Sequence, residues 1–151
     1  MQMARHNKPQ LRDPKKKPTL VYLSFEDETI DTLEFMYTYL YYHEHRKLPE
    51  GTEDDLKNMT PEQIQNYVID NLGKNGFEIF LVRADPTVWT YQSIFGYVNQ
   101  LEAQGYEVQA LIIDYLAILP TTGCDNSGPM GTALRDMFRR VRNFCSSWKL
   151  K

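Results

Sequence analysis

Three short apolar segments constrain the fold of this chain more than any other feature of its sequence. Residues 19–24 (TLVYLS), 77–82 (FEIFLV) and 108–113 (VQALII) are rich in β-branched, aromatic and other large apolar residues. A short run that is apolar on both faces is typical of a strand in a parallel sheet covered by helices on both sides. Helix-like segments separate the three runs, and this alternation predicts an α/β domain with a parallel sheet.

The segments between these strands carry signals for the beginning and end of helices. Thr60-Pro61-Glu62-Gln63 combines a threonine cap, a proline at the first helical position and a glutamine at the third. Gly73 is placed to end that helix. Further helices are predicted from the acidic residues 26–31 through Tyr41, over residues 90–104, and over residues 132–148, the last with Leu134, Met137, Phe138, Val141 and Cys145 facing inward.

Charge is distributed unevenly along the chain, although the formal net charge is only −3. Residues 1–18 and residues 130–151 each carry six basic and one acidic residue, whereas residues 19–129 carry five basic and eighteen acidic ones. The overall acidity argues against a simple nucleic-acid coat protein. Three prolines interrupt the basic start, so residues 1–18 are predicted to be a flexible arm or connector, and residues 19–151 the folded core.

Composition excludes several classes of protein. Cys124 and Cys145 are too few for a disulfide scaffold, and neither sits in a zinc-binding spacing. The basic start lacks the apolar run of a signal peptide, and the longest apolar run, residues 110–113, is far too short to span a membrane. We expect a cytoplasmic setting.

Aromatic and histidine residues crowd the end of the first long helix. Its four tyrosines, at positions 37, 39, 41 and 42, suit either a packed aromatic face, which we favour, or a platform for stacking bases. His43 and His45 flank Glu44, but side chains two positions apart on a helix point in nearly opposite directions. They are therefore predicted to be a solvated helix end and not a metal site.

Two predicted strands deliver carboxylates to their carboxyl ends, where ligands bind in open parallel sheets. Glu26 follows the first strand, and Asp114 ends the third. An apolar strand that ends in aspartate is typical of a Walker B segment, in which the carboxylate holds water around the Mg²⁺ of a nucleotide. A second carboxylate nearby can activate the attacking water. A simple acidic strand end remains the alternative.

The longer string LIIDYL, residues 111–116, resembles the Walker B segment of phage-type, DnaB-like replicative helicases, which have a RecA-like ATPase core. The phrase LSFED at residues 23–27 stands where that family carries a catalytic glutamate. The resemblance covers roughly residues 19–150 and implies a partial three-layer RecA-like sheet with flanking helices. It also implies ATP and Mg²⁺ as ligands, Asp114 as the residue that organises Mg²⁺, and Glu26 as the catalytic carboxylate. Asp27 and Glu28 are the substitutes if the register shifts.

The sequence departs from this family at the phosphate-binding loop. No G-x-x-x-x-G-K-[ST] motif occurs in residues 1–151, and the only Gly-Lys pair, Gly73-Lys74, reads as a helix end. We therefore expect a fragment or split-gene product, inactive as an ATPase alone, with the phosphate loop before residue 1 and the last motifs after residue 151. Loss of a central strand would leave a sheet edge and apolar surface uncovered.

The resemblance further implies single-stranded DNA, a homo-oligomeric ring such as a hexamer, and replisome proteins as partners. Residues 119–131 occupy the position of a DNA-contacting loop, and a basic helix follows them. The arginines of that helix also suit a solvated face or a subunit contact. Candidate DNA-binding residues are Thr121, Thr122, Asn126, Arg135 and Arg139.

Two other functions stay open. The chain could be a non-enzymatic, degenerate ATPase-like module that binds a helicase or another replisome partner. It could also derive from a recombinase-type or circadian-type RecA-like ATPase, although Tyr115 in the string Asp114-Tyr115-Leu116 favours the helicase.

Overall fold

A computed structural model describes residues 2–147, and its elements follow the predicted order with one short helix added at the start. The predicted α/β class is confirmed, and the architecture is that of a partial RecA-like fold. Position 148 of the predicted last helix lies outside the described residues. The elements are α1 (Gln2–His6), β1 (Lys17–Ser24), α2 (Thr29–His45), α3 (Pro61–Gly73), β2 (Glu78–Arg83), α4 (Tyr91–Ala103), β3 (Tyr106–Asp114) and α5 (Thr132–Ser147), with 3-10 turns at Leu56–Asn58 and Leu116–Ile118.

Local hydrogen bonds explain where two of the helices begin. The Thr60 hydroxyl accepts the amide of Gln63 at 3.3 Å, and the Gln63 side chain accepts the amide of Thr60 at 2.7 Å. Thr90 and Ser93 form the same reciprocal pair at the start of α4. These bonds satisfy amides that have no partner within the helix, so the predicted start of α3 is confirmed.

The three strands form one parallel sheet in the order β2-β1-β3. β1 is the central strand: its Thr19 lies opposite Glu78 of β2 and Val108 of β3. An irregularity between Thr19 and Leu20 places Ala110, and not Gln109, opposite Leu20. The first strand of the sequence is thus held on both sides by strands that come much later in the chain.

Helices cover both faces of this sheet, which gives three layers. On one face α1, α2 and α3 pack on residues such as Leu20 and Ala110. On the other face α4 and α5 pack on residues such as Val21 and Val108. No helix in the described range is long and apolar enough to cross a membrane.

The outer edge of β3 is bare: no strand of residues 2–147 pairs with it. Beside this edge, Ile112 exposes 42% of its surface although it belongs to an apolar strand. An apolar cavity of about 150 Å³ lies next to it and is lined in part by Ala4, Tyr22 and Met36. The apolar character of β3 on both faces is typical of an interior strand.

The basic segment before β1 packs against the body of the molecule. Ala4, a residue of α1, is buried in the core, and Asn75 donates to the carbonyls of Ala4 and Arg5. Nearer the strand, Arg12 and Lys16 pair with the buried carboxylate of Glu102 at 3.0 and 2.5 Å. The sequence predicts a flexible arm here because nothing local to the segment indicates these contacts. The glutamates that hold it come some 90 positions later in the chain. The division into an arm and a core stays a prediction.

The tyrosines of α2 divide between the core and the surface. Tyr37 and Tyr41 are buried, and both hydroxyls donate to Asp54, whereas Tyr42 is exposed. The rings of His43 and His45 lie against different tyrosines. No group of three or more potential metal ligands occurs among residues 2–147.

One residue of α5 departs from its predicted orientation. Met137 and Val141 are buried as expected, but Phe138 exposes 48% of its surface. A residue adjacent to Met137 lies about 100° further around a helix, so Met137 and Phe138 cannot both face the centre of the core.

Candidate active site at the carboxyl edge of the sheet

The two predicted carboxylates lie at the same edge of the sheet because β1 and β3 are parallel neighbours in register. Ser24, the last residue of β1, lies opposite Asp114, the last residue of β3. The chain stays joined beyond this pair, since the amide of Phe25 donates to the carbonyl of Asp114 at 2.8 Å. Glu26 follows directly, so the structure brings the ends that carry Glu26 and Asp114 together. Their catalytic roles stay predictions.

The turn after β1 is fixed by its own hydrogen bonds. The Ser24 hydroxyl accepts the amide of Asp27 at 3.1 Å and donates to its carbonyl at 3.0 Å. Phe25 is buried and packs edge-on against Trp89, with ring centroids 6.1 Å apart. The buried stretch ends at Phe25, and Glu26 directly after it is exposed, where a carboxylate can meet solvent or a ligand.

The three candidate catalytic carboxylates differ in their partners. All three are exposed, but Glu28 is paired with Arg83 at 2.9 Å, and Arg83 ends the neighbouring strand β2. For the side chains of Glu26 and Asp27 there is no ion pair within the described part of the chain. Glu28 therefore serves as a link between β1 and β2, and Glu26 and Asp27 remain available for chemistry.

Asp114 is half-buried and is held by a residue that the sequence analysis did not single out. The hydroxyl of Tyr22 donates to Asp114 Oδ2 at 2.5 Å. Burial, followed by the Asp114 carboxylate, raises the pKa of Tyr22 well above its ordinary range, so the phenol stays protonated and remains a donor. Asp114 Oδ1 has no hydrogen-bond partner within residues 2–147. The signal in the sequence for this contact was strand alternation. On paired strands, alternation places Tyr22 and Asp114 on one face as diagonal neighbours.

The donor set at this edge fits part of a magnesium–nucleotide site. A carboxylate with one free oxygen at the end of a buried strand is the type of ligand that Mg²⁺ accepts, directly or through water. The peptide bond after Asp114 is cis. Residues 1–151 contain no counterpart of the backbone loop and lysine that hold phosphates.

The predicted DNA-binding residues fall into two groups. Arg135 and Arg139 line one cavity of about 360 Å³ together with the loop residues Asp125 and Ser127. Thr121, Thr122 and Asn126 do not line it.

Asp136 also lines this cavity and holds its arginines and loop in place, a role that the sequence analysis did not predict. It is buried, accepts the amide of Asp125 at 3.0 Å, and pairs with Arg139 at 2.5 Å and Arg140 at 2.7 Å. The amide of Asp125 and the two guanidinium groups outweigh burial and hold the pKa of Asp136 well below its usual range. Arg135 has no carboxylate partner in the part of the chain that the structure describes. Its charge is therefore available to an anion, whereas that of Arg139 is partly neutralised.

A comparison with known proteins identifies the family of this chain. A sequence model of the divergent DnaB-like ATPase family matches residues 1–150. No curated protein and no solved structure matches the chain. Because the match extends over nearly all of the sequence and over the strands that carry Asp114 and Glu26, this chain belongs to the divergent DnaB-like ATPase family.

Proposed function

We propose that residues 1–151 form the carboxylate-bearing part of the motor core of a phage-type replicative DNA helicase. The intact enzyme would hydrolyse ATP between the subunits of a hexameric ring, translocate on single-stranded DNA and unwind the duplex at the replication fork. The observation that carries this proposal is the placement of Asp114 and Glu26 at one sheet edge in a chain of a DnaB-like ATPase family.

In this proposal each carboxylate has a separate task. Asp114, oriented by Tyr22, would hold the water around the Mg²⁺ that accompanies the nucleotide. Glu26, exposed beyond the turn fixed by Ser24, would accept a proton from the attacking water. Mg²⁺ itself would supply the charge that neutralises the phosphates. Arg135 and the loop before α5 would contact the DNA backbone, since an unpaired arginine beside a cavity suits a phosphate.

The topology supports a place for the missing phosphate-binding part. The connection from β1 to β2 runs over the face of α2 and α3, and the connection from β2 to β3 runs back over the opposite face. Crossovers between parallel strands are right-handed, so all crossover helices on one face of the sheet advance in the same direction. On the first face, the connection from β1 to β2 shows that this direction is from β3 toward β2. Helix α1 lies on that first face and leads into β1. A strand that precedes α1 would therefore pair with the bare edge of β3, beside Asp114.

The first experiment is an assay of phosphate release by the purified 151-residue chain with and without single-stranded DNA. We expect no turnover above that of Asp114→Asn, because the residues that hold the triphosphate are lacking and catalysis of this type depends on positioning. Turnover by the unaltered chain that Asp114→Asn abolishes would contradict the expected inactivity.

The second experiment tests the helicase itself. The coding sequence on both sides of this chain is read for a G-x-x-x-x-G-K-[ST] motif, in frame or in a neighbouring frame, and the encoded segment is co-expressed with the chain. We expect DNA-stimulated ATP hydrolysis that Asp114→Asn and Glu26→Gln both abolish and that Glu28→Gln leaves largely intact. A complex that binds a helicase without any Asp114-dependent turnover would favour the non-enzymatic module instead.

A further inference from the structure

The outward face of α2 carries an aromatic surface bordered by acidic residues. Its inner side is packed in the core, yet Phe35 exposes 66% of its surface and Tyr42, two turns later on the same side, exposes 46%. Asp31 is exposed one turn before Phe35, and Glu34 directly precedes Phe35 in the sequence. Neither carboxylate has an ion-pair partner in the described range. We call Asp31, Glu34, Phe35 and Tyr42 the acidic aromatic face.

The outward face of α5 has the opposite charge around a similar aromatic centre. Phe138 exposes 48% of its surface, with Arg142 exposed one turn after it and Arg135 one turn before it. Whereas Arg139 and Arg140 are paired with Asp136, the structure offers no carboxylate to Arg142 within residues 2–147. We call Phe138 and Arg142 the basic aromatic face.

These two faces cannot meet within one molecule, because α2 and α5 lie on opposite sides of the sheet. Between two molecules they are complementary. Carboxylates on one face meet an arginine on the other, and an arginine above a Phe or Tyr ring gains a cation–π contact. A nucleic acid suits the pair less well, since the phosphates would be repelled by Asp31 and Glu34.

We propose that the acidic aromatic face of one copy of this chain binds the basic aromatic face of the next copy. This contact joins two different surfaces, so each copy keeps one face free for a further neighbour. Such a head-to-tail contact closes into a ring when its rotation permits and otherwise forms an open filament. The inference rests on the ring of the proposed function and names the surfaces that would form it.

The test is sedimentation velocity of the purified chain over a range of concentrations, without nucleotide or DNA. We expect reversible association of the unaltered chain, weakened about tenfold by Asp31→Arg and by Arg142→Asp, as for loss of a close charge pair. The double variant Asp31→Arg/Arg142→Asp restores opposite charges and should recover most of the association. Asp70→Arg is the matched control, because Asp70 is an exposed carboxylate on another helix, α3. Circular dichroism verifies that each variant is folded.

Several results would overturn this contact. A chain that stays monomeric at all concentrations contradicts it. Association that neither Asp31→Arg nor Arg142→Asp weakens contradicts it as well. Loss of binding to oligo-dT by Arg142→Asp with unchanged association would assign the basic aromatic face to nucleic acid. Because the assay contains neither ATP nor DNA, failure of the helicase proposal leaves its outcome unaffected, and failure of the contact leaves the ATPase experiment valid.

Discussion

Replacement of Glu107 by alanine should release the basic segment that precedes β1. Glu107 exposes only 2% of its surface, and its carboxylate accepts the main-chain amides of Arg12 at 2.9 Å and of Asp13 at 3.0 Å. The Arg12 guanidinium lies 3.3 Å away, and Gln109 donates a further hydrogen bond. One side chain of β3 thus holds a stretch of backbone that has no regular secondary structure.

The expected cost follows from these contacts. A hydrogen bond to an ionised group contributes about 1.5–3 kcal/mol, and the two amide bonds taken at the lower end of that range give about 3 kcal/mol. The pair with Arg12 adds about 0–1 kcal/mol, because the arginine is partly exposed to solvent. A loss of about 3–4 kcal/mol is large for a domain whose total stability is on the order of 5–15 kcal/mol.

Urea unfolding followed by far-ultraviolet circular dichroism measures this loss. With a slope of about 2 kcal/mol/M, the unfolding midpoint of Glu107→Ala should fall by about 1.5–2 M. The matched control is Glu78→Ala. Glu78 is also a glutamate on a strand, but it lies on the surface, where it pairs with Lys17 at 3.5 Å. It should lose at most about 1 kcal/mol. Hydrogen exchange of the Arg12 and Asp13 amides should accelerate only in Glu107→Ala.

The effect should also depend on pH. Burial alone would raise the pKa of Glu107, but the hydrogen bonds from Arg12 and Asp13 outweigh it and hold this pKa below the usual range. A depressed pKa in the folded state stabilises the fold above the ordinary glutamate pKa of about 4.3, and this contribution is lost as the pH falls toward the folded value. Equal midpoints for Glu107→Ala and Glu78→Ala at neutral pH would refute the reasoning.

Two further predictions concern the core and the loop before α5. Ile94 of α4 is fully buried in the core, so Ile94→Ala should lower the free energy of unfolding in urea by about 2–5 kcal/mol. The control Val88→Ala, at an exposed site, should change it by no more than about 0.5 kcal/mol. Similar values for both variants would contradict the assigned core. Asp136→Asn removes the charge that draws Arg139 and Arg140 toward the loop, so the amide of Asp125 should exchange faster with solvent. An unchanged exchange rate at Asp125 would show that the loop is held by other contacts.

Much of the fold follows from local patterns in the sequence. The three apolar runs predicted the strands because a strand covered on both faces must be apolar at successive positions. The cap at Thr60 predicted the start of α3 because the hydrogen bonds that form it span only three residues. Convergence of Asp114 and Glu26 was predictable because the carboxyl ends of parallel strands share an edge.

The features that sequence analysis missed depend on residues far apart in the chain. The contacts of Arg12 and Lys16 with Glu102 and of the Arg12 amide with Glu107 have no local signal in the sequence. Likewise, β1 begins at Lys17, earlier than the apolar run, because the amide of Lys17 donates to the carbonyl of Gly105. Tyr22 reads as an ordinary strand residue until β3 brings Asp114 to its hydroxyl. Helix periodicity placed the core side of α5 only approximately, which is why Phe138 was assigned inward.

The sheet order β2-β1-β3 has a consequence for the way this chain folds during synthesis. Of the three strands, the central one is made first, but its hydrogen-bonding partners β2 and β3 are made much later. Until β3 has emerged, β1 has at least one edge unpaired, and α5, one of the helices that cover the sheet, is also still to be made. Contacts between distant segments also slow folding, because the chain must close large loops before they form. The nascent chain is therefore most exposed to aggregation between the synthesis of β1 and that of β3.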